Sequence, residues 1–73
     1  MDRENLFNIF KVAIENESEA FSFYQNAVLK TSDPTSKKLF EEFARMEEYH
    51  LNKLKERYRE LRAAIPETEQ PKG

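Results

Sequence analysis

Lys30-Thr31-Ser32-Asp33-Pro34-Thr35-Ser36 interrupts an otherwise continuous helical pattern, and its reading decides the fold. Polar turn formers cluster here, and Pro34 disfavours helical backbone at the preceding Asp33. Asp33 is placed to cap the orphan amides of a following helix. Pro34 then occupies the first helical position, where its missing N–H removes no hydrogen bond. The stretch reads as a turn over 31–33 between a helix of about 3–30 and a second of about 34–65, with Asp2 as the cap of the first. Beyond them, Pro66 and Glu67-Thr68-Glu69-Gln70-Pro71-Lys72-Gly73 offer no apolar side chain to pack, so 66–73 is expected to be a flexible tail.

Outward from the turn, the periodicity is helical on both sides. At 100° per residue, Leu6, Phe10, Ala13, Ile14, Ala20, Phe21, Tyr24 and Val28 fall within roughly 60° of Glu17. Phe40, Phe43, Ala44, His50, Leu51, Leu54, Tyr58, Leu61 and Ile65 fall within about 60° of Glu47 in the same way. Two helices each on the order of 40 to 45 Å long, joined by a short connection, make an antiparallel hairpin. In this hairpin Phe10, Phe21, Phe40, Phe43 and Leu54 are core residues. Each helix has one broad apolar stripe but a single partner, so part of each stripe stays wet unless another chain covers it. The expected object is therefore all-α: a two-helix hairpin that self-associates about a two-fold axis into a four-helix bundle.

Composition narrows the function classes. The chain has 73 residues, 36% charged and 38% apolar, enough for one small domain and too few for a large self-contained enzyme. One Gly and three Pro leave little turn punctuation for an all-β fold, and a mean hydropathy of -0.89 speaks against a membrane span. Without Cys there can be no disulfide, zinc ribbon or thiol chemistry, so any metal must sit on oxygen and nitrogen ligands. Twelve basic and fourteen acidic residues are interspersed, giving no broad footprint for nucleic acid. The Met-Asp-Arg-Glu-Asn start has no secretory character, and a cytoplasmic location is expected.

The polar residues at the centres of the apolar stripes carry the chemistry. Glu17 lies mid-stripe on the first helix, and Glu47, with His50 one turn on, lies mid-stripe on the second. An unpaired carboxylate in an apolar interior costs several kcal/mol, so it takes up a proton, a cationic partner or a metal. No Lys or Arg lies at that level on either inner stripe. Glu17 precedes the turn and Glu47 follows it by the same distance, roughly 20 Å at 1.5 Å per residue, so they should face each other. His50, at i, i+3 from Glu47, shares its face. A two-fold axis doubles the set to four carboxylates and two imidazoles, and two divalent cations would neutralise it.

Ala13-Ile14-Glu15-Asn16-Glu17-Ser18-Glu19-Ala20-Phe21-Ser22-Phe23-Tyr24, then Asp33-Pro34, Leu39-Phe40 and Glu47-Glu48-Tyr49-His50, resemble the rubrerythrin and ferritin-like superfamily, specifically half of one of its four-helix domains. The resemblance covers about residues 10–60. It implies that Glu17 is a terminal ligand, Glu47 a carboxylate bridging two metals, His50 a nitrogen ligand, and Tyr24 a tyrosine held near the carboxylates. It also implies two iron ions per dimer, with manganese or zinc able to occupy the same ligands. Two departures matter. Family members usually carry two such hairpins in one chain, so here the site would be completed between subunits. Rubrerythrins proper also have a cysteine-ligated rubredoxin module, which this Cys-free chain cannot hold. Electrons would come from a separate donor, and the nearer analogy is to self-assembling half-ferritins, related to encapsulated ferritins, that oxidise Fe(II) at sites between subunits. Partners then include a second copy and either a separate donor or an encapsulating shell, with no nucleic acid and no membrane.

A plainer alternative is a non-catalytic helical dimerisation module whose buried polar layer of protonated Glu and hydrogen-bonded His fixes register. Elsewhere the charges read as solvated. Glu41, Glu42 and Glu48 crowd the first half of the second helix and Lys53, Lys55, Arg57, Arg59 and Arg62 the second half, the distribution the helix dipole favours. Glu15 and Glu19 point away from the stripe and could serve only to pass cations inward.

Overall fold

The computed structural model describes residues 3–70, and the Asp2 cap and residues 71–73 of the expected tail lie outside it. Two helices pack against each other as a hairpin, α1 over Arg3–Lys30 and α2 over Pro34–Ala64, with no strand among the described residues. No helix of the described residues is long and apolar enough to cross a membrane.

The turn is held by the chemistry of Asp33. Its backbone is extended (φ -72°, ψ 117°), and its carboxylate accepts from the Ser36 amide at 2.9 Å and from the Ser36 hydroxyl, with Pro34 opening the helix. The Ser36 hydroxyl bond first, and the amide bond second, hold the Asp33 carboxyl below its ordinary range. Its capping therefore stabilises the fold above the ordinary carboxylate pKa and is lost as pH falls through the depressed value. Asp33→Ala should lower the thermal midpoint by about 4–8 °C at pH 7, read by circular dichroism, with a smaller difference in acid.

At the far end Ile65 leaves the helical region (φ -103°, ψ 127°) before Pro66, while its N–H still donates to the Leu61 carbonyl. Glu67–Glu69 form one 3-10 turn, and the Gln70 amide donates to the Arg62 and Ile65 carbonyls, both at 2.7 Å. Two of the orphan acceptors at the α2 C-terminus are thereby satisfied.

A single hairpin buries little. Its extents are 52 × 18 × 16 Å and its radius of gyration is 16.0 Å, against about 11 Å for a compact domain of this length. Only Phe7, Ala44 and Leu51 are buried apolar residues among those described, and of them Phe7 alone is fully so, while Phe10, Phe21, Phe40, Phe43 and Leu54 are half-covered. Phe7 lies about 80° from Glu17, outside the stripe read from sequence. It is buried because α2 packs on that flank of α1 rather than on the stripe centre, with the Tyr58 ring edge-on at 5.6 Å. The opposite flank is left open, and it carries Ile9, Val12 and Phe23 on α1 and Leu39 and Met46 on α2, all 45% exposed or more.

Candidate metal centre

Glu17, Glu47 and His50 meet halfway along the hairpin. Each offers a ligand atom, and these atoms all lie within 4.8 Å of one another. Among the described residues this is the one cluster of three or more such groups. Aromatic layers bracket it. Toward the turn, Tyr24 stacks on Phe40 with centroids 6.2 Å apart and meets Phe43 edge-on at 5.3 Å; toward the open end, Phe7 and Phe10 pack on Tyr58. These rings fix the spacing of the two helices on either side of the carboxylates, so the cluster is held by packing rather than by its own bonds.

The electrostatics are unbalanced. His50 Nδ1 stands 3.7 Å from Glu17 Oε2, too far for a hydrogen bond. That same Oε2 is shut off from solvent and accepts no hydrogen bond. A buried carboxylate oxygen without a hydrogen-bond donor is costly. Beside it the Glu47 carboxyl is pushed above its ordinary range. A proton shared with the Glu17 carboxyl is the largest cause, followed by burial and by the Glu17 charge, while His50 works in the opposite direction.

A group whose folded pKa is raised is more tightly protonated in the native state. Its burden on stability is absent below the unfolded carboxylate pKa, near 4.5, and grows as pH climbs through the raised value. For this group alone, the metal-free protein should gain thermal stability as pH is lowered through the raised value toward the ordinary carboxylate pKa. Glu47→Gln, which cannot ionise, should flatten that part of the profile in a melting series at fixed ionic strength. An unchanged slope would show that the two carboxyls do not interact.

The donor set fits a transition-metal cation. Carboxylate and imidazole donors suit iron, zinc and manganese, and bonds of about 2.0–2.2 Å draw neighbouring ligands to within 3–4 Å of each other. The ligand atoms of the three groups already lie within 4.8 Å of one another, and a cation would give Glu17 Oε2 the partner it lacks. One hairpin supplies just three such side chains, and the side that would hold more ligands is open, with Glu17 29% and His50 49% exposed. Tyr24 is placed in the aromatic layer seven residues nearer the turn, its ring engaged by Phe23, Phe40 and Phe43. Neither curated proteins nor solved structures give a match to the chain. The rubrerythrin family profile, in contrast, matches residues 2–71, nearly the whole length. A helical hairpin with paired carboxylates and a histidine at its mid-height, matched by that profile from end to end, belongs to the rubrerythrin family.

Proposed function

We propose that this protein binds Fe(II) at a di-iron centre closed between two copies of the hairpin and oxidises it with dioxygen or peroxide. The observation that carries the reading is the orphaned Glu17 Oε2 beside the proton-sharing Glu47 carboxyl, on a face that a second copy would cover. In the pair, Glu17, Glu47 and His50 would hold the metals, the two carboxylates as oxygen ligands and the imidazole as the nitrogen ligand. Iron on such ligands supplies a ferrous–ferric couple and open positions for the oxidant.

The chain's own residues set the conditions. Glu47 ligates as the carboxylate, and the hydrogen bond with Glu17 that raises its pKa means that loading is favoured as pH climbs through that raised value. His50 must bind as the neutral imidazole. The aromatic layers around Tyr24 and Tyr58 bracket the cluster above and below, and with its open side covered by a second copy they would limit the hydration of the carboxylates. Tyr24 belongs to the layer through which the carboxylates are positioned.

Metal analysis together with sedimentation tests the reading. The expected result is about one iron per chain in a species of at least two chains, with oxygen or peroxide consumed on addition of Fe(II). A well-folded assembly that is indifferent to Fe(II) would instead establish the buried polar layer as a register device.

A further inference from the structure

Tyr49 stands between His50 and the solvent. Its ring meets the His50 ring edge-on, with centroids 6.2 Å apart, and the residue is 60% exposed. It lies about 160° round α2 from Glu47, on the side turned away from the apolar stripe, so a copy that covers the stripe leaves Tyr49 in water. Core packing therefore does not account for it.

The composition of the chain gives that position chemical weight. With no Cys and no Trp, the readily oxidised side chains are three tyrosines and two methionines. Tyr24 and Tyr58 are half-buried in the layers on either side of the cluster, Tyr24 against Phe23, Phe40 and Phe43, and Tyr58 against Phe7 and Phe10. Among the described residues only Tyr49 sets its ring against the imidazole of the cluster. Met46, one turn from His50, oxidises by gaining an oxygen atom and so leaves a different product.

The count of electrons shows when such a ring is needed. Reducing hydrogen peroxide to two waters takes two electrons. A centre that holds two ferrous ions supplies both, whereas a half-filled centre supplies one and leaves a second oxidising equivalent beside its own ligands. We propose that Tyr49 supplies the missing electron, so that a half-filled centre oxidises an exposed phenol instead of His50. One Fe(II), one tyrosine, one hydrogen peroxide and one proton give one Fe(III), one tyrosyl radical and two waters. The O–O bond breaks, iron and phenol lose one electron each, and the phenolic proton leaves to solvent. This rests on the di-iron reading above and adds to it an outlet for surplus oxidising equivalents.

The surroundings of the ring suit the step. The Lys53 ammonium lies over it, 5.8 Å from the centroid. A cation there opposes positive charge on the ring, so electron and proton leave together and a neutral radical remains. Exposure provides the water that takes the proton. It also lets a small reductant in solution return an electron and a proton and so restore the tyrosine. Without a reductant, radicals on two molecules couple through their rings into dityrosine.

The test fills the protein anaerobically with Fe(II) to half its measured capacity and adds hydrogen peroxide with no other reductant. Electron paramagnetic resonance on samples frozen at once reads the radical, and denaturing electrophoresis with dityrosine fluorescence reads the cross-link. Tandem mass spectrometry of the tryptic peptide 46–53, which carries Met46, Tyr49 and His50, reads where oxygen is gained. The parent should show a tyrosyl signal and a covalent dimer joined at Tyr49, both suppressed by ascorbate and both absent when zinc replaces iron. Tyr49→Phe keeps a ring against His50 but cannot form the radical. Signal and cross-link should fall several-fold, and oxygen gained at His50 should rise several-fold. Tyr49→Trp should restore an aromatic radical, now with the hyperfine pattern of an indole, which a purely structural role would not do. A signal and cross-link undiminished in Tyr49→Phe, or lost instead in Tyr24→Phe or Tyr58→Phe, in protein that holds iron would overturn the role of Tyr49 and leave the metal centre standing. Protein that holds no iron and forms no radical would overturn both.

Discussion

Glu47→Ala should empty the metal centre and yet leave the metal-free protein at least as stable as the parent. The two halves of that result come from one physical fact. Glu47 is held against Glu17 tightly enough for its carboxyl to be pushed up mainly by the proton the two share, so without a cation the pair is a strained feature of the native state. Removing one member relieves it, and Ala is the better helix former at a mid-helix position. With metal the sign reverses. In a two-fold assembly the substitution deletes two of four carboxylates. Affinity should drop by more than about a hundredfold, since even outer-shell losses cost 10–100-fold. Iron measured after dialysis at micromolar protein should go from about one per chain to under about a tenth. A ligand at a hundred times its dissociation constant stabilises the native state by about 2.7 kcal/mol. Thermal midpoints should therefore cross: the variant at or above the parent without metal, and well below it with Fe(II) under anaerobic conditions. A buried layer that only fixes register predicts no metal-dependent difference at all, and that outcome would falsify the ligand role of Glu47.

Much of the architecture was legible in the sequence because its signals are local. Asp33-Pro34 marks the break between helices through backbone sterics and capping, and the bond from the Ser36 amide shows the cap in place. The meeting of Glu17, Glu47 and His50 was legible for a similar reason. Equal distances from a short turn leave antiparallel helices only one register, and the structure brings the three groups to within 4.8 Å. What periodicity could not supply was the direction each helix faces. A stripe 120° wide says which residues avoid water and not which half of the stripe meets the neighbouring helix. Phe7, at 1% exposure, was therefore missed, while Phe10 and Leu54 turned out half-covered. The burial of a single oxygen, Glu17 Oε2, has no signature in sequence at all, because it depends on rotamers and on what α2 places beside it.

The same asymmetry makes the largest effect on assembly predictable. Ile9→Glu with Phe23→Glu should dissociate the assembly and, with it, strip the metal, although all three ligand residues remain. Both positions keep more than half of their surface in water within one hairpin, 52% and 65%. Burying an apolar side chain of this size fully is worth about 1.5–3 kcal/mol, so covering the remainder should contribute about 1–2 kcal/mol at each position. A two-fold axis counts every position twice, which gives roughly 4–8 kcal/mol across the interface. Carboxylates placed there lose that term and meet apolar groups at the contact, so the dimer dissociation constant should rise at least a thousandfold, the equivalent of about 4 kcal/mol. Leu29→Glu is the control. Leu29 is the most exposed large apolar side chain among the described residues, at 82%, but it lies on the other flank of α1, away from Ile9 and Phe23. Its replacement should leave sedimentation and metal content unchanged, which separates loss of one interface from a general rise in negative charge. Because the two substituted positions are exposed in the isolated hairpin, the variant should remain helical by circular dichroism. Each monomer would then present Glu17, Glu47 and His50 alone, three donors with an open side, and hold iron at least a hundredfold more weakly than the parent. A monomeric variant that binds iron as tightly as the parent would show the site to be complete within one chain.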